Sequence, residues 1–92
     1  MVESVKIIIL DHALEAMEER GASVEEVERT VREGDMIPAK IGRMRYMKNL
    51  RFDGVWRGRR YTTKQVNAIV ARRGSEMRVV TVIVKYIGKE EA

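Results

Sequence analysis

The chain lacks cysteine, has a single histidine, and has few aromatic residues: one Trp, one Phe and three Tyr among 92 residues. Without cysteine there is neither a disulfide framework nor a thiolate metal site. His12 has no second His or Cys to complete a zinc-type ligand set. We therefore predict a protein without a metal site or other cofactor.

Long apolar runs are also missing. The run Val79–Val84 is far shorter than the roughly 20 residues that a transmembrane helix needs. The N-terminus carries Glu3 and has no small-residue cleavage site, so we expect no secretory leader and a cytoplasmic location. A chain of this length closes one modest core, which predicts a single domain over residues 1–92. High charge with few amides is typical of heat-adapted proteins.

The charges that are present divide the chain in two. Residues 1–35 carry 4 Lys/Arg against 10 Asp/Glu, a net charge of −6, whereas residues 36–92 carry 14 against 4, a net charge of +10. Together the halves give the overall +4. A strongly basic half favours a polyanionic partner, most often nucleic acid.

The acidic half predicts a strand followed by two helices. A β-branched run from Val5 to Leu10 favours a strand, and Asp11 after it is a good N-cap for a helix that ends at Gly21. Ser23 and Glu26 form the S-x-x-E capping box of a second helix, which a second glycine closes. Each helix has an apolar stripe that needs a partner: Ala13, Leu14, Met17, then Val24, Val27, Val31.

The basic half predicts an antiparallel meander. Even positions between Met44 and Phe52 are mostly apolar and odd positions mostly basic or polar, as in a half-buried strand. Asp53-Gly54 is a strong signal for a two-residue hairpin turn. Strands Val55–Tyr61, Lys64–Arg72 and Met77–Ile87 would follow, the last two joined by a turn at 73–76.

The last of these strands is apolar on both faces over Val79–Val84, which suits a central position in the sheet. We expect Val80, Val82 and Val84 to face the helices. Thr81 and Lys85 would then point to the opposite side of the sheet.

Several short motifs occur together in this chain. They are His12-Ala13, Met17, Arg20-Gly21, the Val24/Val27 helix and Val80-Thr81-Val82. The combination resembles a small family of unknown function that looks like a branch of the RelE/ParE-like toxins, and it spans nearly the whole chain. Members of that family commonly carry Arg one position before the Met of the first helix, where this chain has Ala16.

The resemblance implies a RelE-like α+β fold, with an N-terminal strand and a two-helix hairpin packed on a twisted antiparallel sheet. It also implies metal-independent cleavage of messenger RNA by a toxin that pairs with an antitoxin protein. In that chemistry a 2′-hydroxyl attacks its own phosphate, helped by cationic groups and by a general acid and base. The candidate catalytic residues are His12, Arg45, Arg57 and Lys85.

Candidate nucleic-acid-binding residues occur in two stretches. Arg43, Arg45 and Arg51 share one parity of a strand and could follow a phosphate backbone. The second stretch mixes guanidinium groups with aromatic faces that stack on unpaired bases, and its candidates are Trp56, Arg59, Arg60 and Tyr61. Each has a plainer interpretation: a solvated arginine face, Trp56 in the core, His12 as a helix-start residue, and Lys85 with its stem along the sheet.

The sequence leaves three functional classes open. The first is a metal-independent endoribonuclease of a toxin–antitoxin pair, the second a non-catalytic RNA- or DNA-binding module. The third is a protein-interaction domain whose exposed sheet edge pairs with a partner or with a second copy, as a homodimer. The expected partners are RNA and an antitoxin protein, and no membrane.

Overall fold

The chain folds into two helices and one five-stranded sheet. The computed structural model describes residues 5–40 and 42–89. Its elements, in chain order, are β1 (Lys6–Ile9), α1 (Asp11–Arg20), α2 (Val24–Glu33), β2 (Asp35–Pro38), β3 (Met44–Trp56), β4 (Arg59–Arg73) and β5 (Glu76–Lys89). The α+β class is confirmed. Residues 1–4, on which the leader expectation depends, lie outside the described residues.

The sheet has the strand order β1-β5-β4-β3-β2. Strands β3 to β5 form an antiparallel meander as expected, and β2, which was not predicted, extends it. The central position predicted for Val79–Val84 is wrong, because β4 is the central strand and β5 lies between β4 and β1 only over Glu76–Val79. The expectation of a purely antiparallel sheet is wrong, because β1 pairs in parallel with the start of β5, Lys6–Ile9 opposite Glu76–Val79. A parallel pair needs a long crossover connection, and most of the chain supplies it here.

Helix α1 begins at Asp11, one residue earlier than predicted. Its N-cap is Leu10, which makes no side-chain capping bond. The Asp11 carboxylate lies instead in the first turn, where it complements the positive end of the helix dipole. The predicted end is confirmed, because Gly21 has φ 79° and its N–H donates to the Met17 carbonyl at 2.8 Å.

The predicted capping box of α2 is present in full. The Glu26 N–H donates to Ser23 Oγ at 3.1 Å, and the Ser23 N–H donates to Glu26 Oε1 at 2.9 Å. Gly34 ends this helix in an extended conformation, with φ −76°, rather than the left-handed one found at Gly21.

The predicted hairpin turn at Asp53-Gly54 is wrong. Strand β3 continues to Trp56, and the turn is Arg57-Gly58, with φ 50° and 80° as a type I′ turn requires. Asp53 has φ 43° at a bulge where the β3–β4 register shifts between Arg51 and Gly54. The residues expected to form two separate strands, 55–61 and 64–72, therefore belong to the end of β3, the turn and the long strand β4.

The core lies between the helices and the sheet. Val27 of α2 and Val66, Val70, Val79 and Val82 of the sheet are fully buried, and each contributes about 1.5–3 kcal/mol through removal of its side chain from water. The α1 contribution comes from three further buried residues: Ala13, Ala16 and Met17.

Three apolar residues lie elsewhere than predicted. Val80 is the extra residue of a bulge between Val79 and Thr81, so Val79 faces the helices in its place. Leu14 and Val24, expected in the helical stripes, are 42% and 46% exposed. Val82 and Val84 face the helices as expected, and both contribute to the core.

Candidate nucleic-acid interface

Both helices pack on one side of the sheet: α1 contacts β5, and α2 contacts β3 and β4. This side, the helix face, carries the core residues of each strand. The other side, the open face, presents the alternate residues. From β3 to β5 they are Arg45, Met47, Asn49, Arg51; Thr63, Gln65, Asn67, Ile69; Thr81, Ile83, Lys85, Ile87.

The connection between β2 and β3 forms a groove at one end of the open face. The Arg43 N–H donates to the Lys40 carbonyl at 2.8 Å, and the Ala39 N–H donates to the Arg43 carbonyl at 3.4 Å. The resulting loop and the adjoining strands enclose about 660 Å³, here called the basic groove, lined by Pro38, Ala39, Lys40, Arg43, Arg45, Ile69 and Ile83. Small-ligand sites occupy roughly 300–1,000 Å³.

The charges of the basic groove have one sign. Of residues 5–40 and 42–89, its lining holds Lys40, Arg43 and Arg45 but no carboxylate. The Nε of half-buried Arg45 is shielded from solvent and, in the part of the chain that the structure describes, has no hydrogen-bond partner. A buried donor without a partner costs about 1–3 kcal/mol.

A second groove, between α2 and β3, has a different electrostatic character. It encloses about 520 Å³, and its lining mixes Glu25 and Glu26 with Arg29, Lys48 and Arg51. Some of these cations already form ion pairs with carboxylates of α2. Lys48 Nζ, for example, lies 3.5 Å from a Glu33 carboxylate oxygen. An anion therefore gains less here than in the basic groove.

A row of amide side chains crosses the open face beside the basic groove. Gln65 Nε2 donates to Asn49 Oδ1 at 3.1 Å, and Asn67 Nδ2 donates to Gln65 Oε1 at 3.2 Å and to the Ile83 carbonyl at 3.4 Å. Asn67 is only 2% exposed, so this network holds it in place. Asn49 is exposed and Gln65 is half-buried, so these two amides can donate to and accept from the edges of unpaired bases.

Lys85 and Arg51 lie farther along the same open face. Lys85 is exposed and stands opposite Gln65, while Arg45 is level with Thr81. Four residues of strand, about 13 Å, therefore separate the rows of Lys85 and Arg45. The Asp53 carboxylate forms an ion pair with Arg51 and raises its pKa, so it competes with any phosphate there.

The tip of the β3–β4 hairpin contacts the end of α1 rather than the open face. Trp56 stacks on Tyr86, with ring centroids 4.9 Å apart and planes at 14°. The Arg57 guanidinium lies 5.3 Å from the Trp56 ring centroid and donates to the Glu19 carbonyl at 3.5 Å. Both side chains therefore line the helix side of the molecule.

Tyr86 and Lys64 complete the contacts with the end of α1. The Tyr86 hydroxyl donates to the Arg20 carbonyl at 2.8 Å, and Lys64 Nζ donates to the Gly21 carbonyl at 2.7 Å. Lys64 also lies 3.2 Å from both carboxylate oxygens of Glu26, as a buried ammonium requires. Burial raises the pKa of Tyr86, the negative charge of Glu26 adds to this rise, and Arg57 opposes it.

A family model for a domain of unknown function, DUF4258, matches residues 9–84. The chain belongs to this family. It matches no curated protein and no solved structure. The DUF4258 region contains both helices, the basic groove and the amide row, and its description gives no link to the RelE/ParE-like toxins.

The remaining predicted site residues of the DUF4258 region lie apart from the basic groove. His12 is exposed in the first turn of α1. Arg59 and Arg60 are exposed at the start of β4, next to the hairpin turn. Tyr61 is half-buried, with its ring centroid 5.6 Å from that of Tyr86.

The four candidate catalytic residues do not form one site. Arg45 and Lys85 are on the open face, whereas Arg57 and His12 are on the helix side of the DUF4258 region. Strand β3 separates Arg45 from the Arg57 turn by about 35 Å of extended chain. Of the predicted residues, Arg43 and Arg45 are the ones that the basic groove brings together.

The groove also contains Lys40, which was not among the candidates. A usable signal was present: Lys40, Arg43 and Arg45 are closely spaced around Gly42, a composition typical of a basic hairpin loop. Gln65 and Asn67 were missed as well, although they alternate along β4 on a single face.

Two further findings concern metal binding and membrane insertion. Among residues 5–40 and 42–89, no three His, Asp or Glu side chains are arranged to hold a metal ion. Neither α1 nor α2 is long and apolar enough to cross a membrane.

Proposed function

We propose that this domain binds single-stranded RNA, with the phosphate backbone in the basic groove and the bases over the open face. The observation that carries the proposal is the groove itself, where Lys40, Arg43 and Arg45 meet without a carboxylate among the described lining residues. The guanidinium groups of Arg43 and Arg45 are donors suited to phosphate oxygens.

The surroundings of the groove favour an extended ligand over a small anion. The apolar side chains of Ile69 and Ile83 form part of its lining and can contact a base. The amide row and Lys85 continue from it along the open face. RNA rather than DNA follows from the resemblance to the RelE/ParE-like toxins.

The acidic helices support the same orientation. Their exposed carboxylates lie on the side opposite the groove, and they include Glu15, Glu18, Glu19 and Glu25. Repulsion between these groups and phosphates disfavours binding through the helices. A polyanion is therefore directed to the open face.

Binding of a fluorescently labelled single-stranded RNA tests the proposal. In the groove variant, Lys40→Gln/Arg43→Gln/Arg45→Gln, affinity should fall by more than about tenfold because three phosphate contacts are lost. The control variant, Arg29→Gln/Arg32→Gln/Arg73→Gln, removes the same charge at exposed positions outside the groove. Equal losses in the two variants would contradict a groove site.

RNA cleavage is the second candidate, and the convergence of three cations in one groove favours it. Such a cluster stabilises the crowded anionic phosphorus formed when a 2′-hydroxyl attacks its own phosphate. Lys40 adds an ammonium group to the two guanidinium groups, and its N–H groups can donate to a phosphate oxygen. An antitoxin that covers the open face would block this groove.

Two features of the chain favour binding over cleavage. Members of the family that the sequence resembles commonly carry Arg at the position of Ala16. Here Ala16 is only 6% exposed and is one of the buried residues of α1. Arg57 is engaged with the end of α1. Neither position adds a further cation to the three in the basic groove.

Incubation of labelled RNA with the protein and a chelator separates the two candidates. Cleavage would produce fragments that end in a 2′,3′-cyclic phosphate, and Arg45→Ala should abolish them. Expression of the native chain in growing cells provides a second measurement, because an active toxin arrests growth. Intact RNA together with normal growth would leave binding as the function.

A further inference from the structure

The last strand has a long edge that no other strand covers. Strand β1 pairs with β5 over Glu76–Val79 alone, whereas β5 continues to Lys89. Within the described residues, the outer edge of β5 beyond Val79 therefore has no strand partner. Exposed edges of this kind are templates for pairing with an additional chain.

The backbone direction along this edge follows from the contacts of β1. The Val79 carbonyl points toward β1, because it accepts from the Leu10 N–H at 3.1 Å, and the Val79 side chain faces the helices. In a strand of L-residues, side-chain side and carbonyl direction are coupled. Val82, Val84 and Tyr86 also face the helices, so their N–H and C=O groups point to the uncovered edge.

One of these edge groups already has a side-chain partner. An Arg20 guanidinium nitrogen donates to the Val82 carbonyl at 2.6 Å. This bond fixes the guanidinium beside the edge, where it lines a small pocket of about 160 Å³ with Trp56, Arg57, Val84 and Tyr86. Among the residues that the structure describes, the lining contains two guanidinium groups and no carboxylate.

We propose that the β5 edge binds an extended acidic peptide as an additional strand. Its backbone pairs with Val84 and Tyr86, and an Asp or Glu side chain enters the pocket between Arg20 and Arg57. Backbone pairing supplies affinity, and the pocket supplies specificity. The carboxylate gains charge-assisted hydrogen bonds from guanidinium groups that the fold already positions.

Charge complementarity favours such a peptide over a second copy of this chain. Two β5 edges brought together would place Arg20, Arg57 and Lys85 of one copy close to the same residues of the other. Like charges at that distance repel each other. An acidic strand has the opposite charge and removes this repulsion.

Three nine-residue peptides of alternating Val and Thr, with Glu, Gln or Lys at the centre, test the proposal by fluorescence anisotropy. The Glu peptide should bind about tenfold more tightly than the Gln peptide, and the Lys peptide should bind most weakly. The protein variant Arg57→Gln should lose the preference for Glu. The groove variant should bind the Glu peptide as the native chain does, because the two sites are separate.

The peptide backbone provides a test that requires no change to the protein. Methylation of alternate backbone nitrogens on the side that faces β5 should abolish binding, while methylation on the other side should not. Hydrogen exchange at the amides of Val84 and Tyr86 should slow when the Glu peptide binds. Absence of binding by all three peptides, equal binding of Glu and Gln, or protection elsewhere would overturn the proposal.

Discussion

The hydroxyl of Tyr86 donates to the backbone carbonyl of Arg20, 2.8 Å away, and so joins the last strand to the end of the first helix. At the same helix end, Lys64 Nζ donates a hydrogen bond to the Gly21 carbonyl. The last carbonyls of a helix have no partner within the helix itself. Side chains from β4 and β5 supply partners here, which fixes α1 against the sheet.

Gly21 should tolerate a side chain less well than another glycine with positive φ. A Cβ at Gly21 would lie 2.6 Å from Tyr86 Oη and 2.7 Å from a Trp56 ring carbon, whereas a Cβ at Gly74 would meet nothing within 4 Å. Both Gly→Ala changes carry a backbone cost of about 1–2 kcal/mol. Chemical denaturation should show that Gly21→Ala is the more destabilising by at least about 1 kcal/mol. Equal losses would mean that the contact with the aromatic rings does not matter.

Lys64→Met should destabilise the fold by about 2 kcal/mol, because it removes the bonds to Gly21 and Glu26 from a nearly buried position. Lys85→Met is the matched control in the neighbouring strand. Lys85 is exposed on the open face, so the control should change stability by less than about 0.5 kcal/mol. Denaturant unfolding of both variants measures the difference. A destabilisation by Lys85→Met as large as that by Lys64→Met would count against this role of Lys64.

Tyr86 should make the fold sensitive to alkaline pH. Burial, assisted by Glu26, raises the pKa of Tyr86 in the folded chain above its unfolded value of about 10. Above about pH 10 the Tyr86 hydroxyl ionises more readily in the unfolded chain than in the folded one, which favours unfolding. The contribution of the protonated Tyr86 to the free energy of unfolding is therefore complete below about pH 10 and is lost as the pH rises through the folded pKa. Tyr86→Phe should lose about 1 kcal/mol at neutral pH and show a smaller further loss in alkali.

Tyr46→Phe is the control for this measurement, since the nearest partner of the Tyr46 hydroxyl is the Met44 sulfur at 4.0 Å. At neutral pH it should lose less stability than Tyr86→Phe, because its hydroxyl makes the weaker contact. If Tyr86→Phe and the native chain lose stability in parallel as the pH rises, the proposed role of the Tyr86 proton is wrong.

Structural features that depend only on residues adjacent in the chain were predictable from the sequence. The capping box of Ser23 and Glu26 and the left-handed Gly21 each depend on a few adjacent side chains, and both are confirmed. Alternation along β3 likewise placed its apolar residues toward the helices. The parallel pairing of β1 with β5 was not predictable, because residues 70 positions apart form it.

The hairpin turn shows why the site was predicted only in part. Asp53-Gly54 and Arg57-Gly58 are both suitable turn dipeptides, and Asp53 has positive φ in either arrangement. In the structure the turn is at Arg57-Gly58, where Trp56 stacks on Tyr86. This is a tertiary contact, which the local sequence does not indicate. A shift of register moves a side chain to the other face of a sheet, so Arg57 could not be placed by counting from Arg45.

The salt dependence of RNA binding tests the central claim of a phosphate-binding groove most directly. Each phosphate that the protein neutralises on a single strand contributes about −0.7 to the slope of log K against log salt concentration. The native chain should therefore have a slope steeper by about 2 than that of the groove variant Lys40→Gln/Arg43→Gln/Arg45→Gln. The control variant Arg29→Gln/Arg32→Gln/Arg73→Gln should keep the native slope. Equal slopes for the native chain and the groove variant would contradict the assignment.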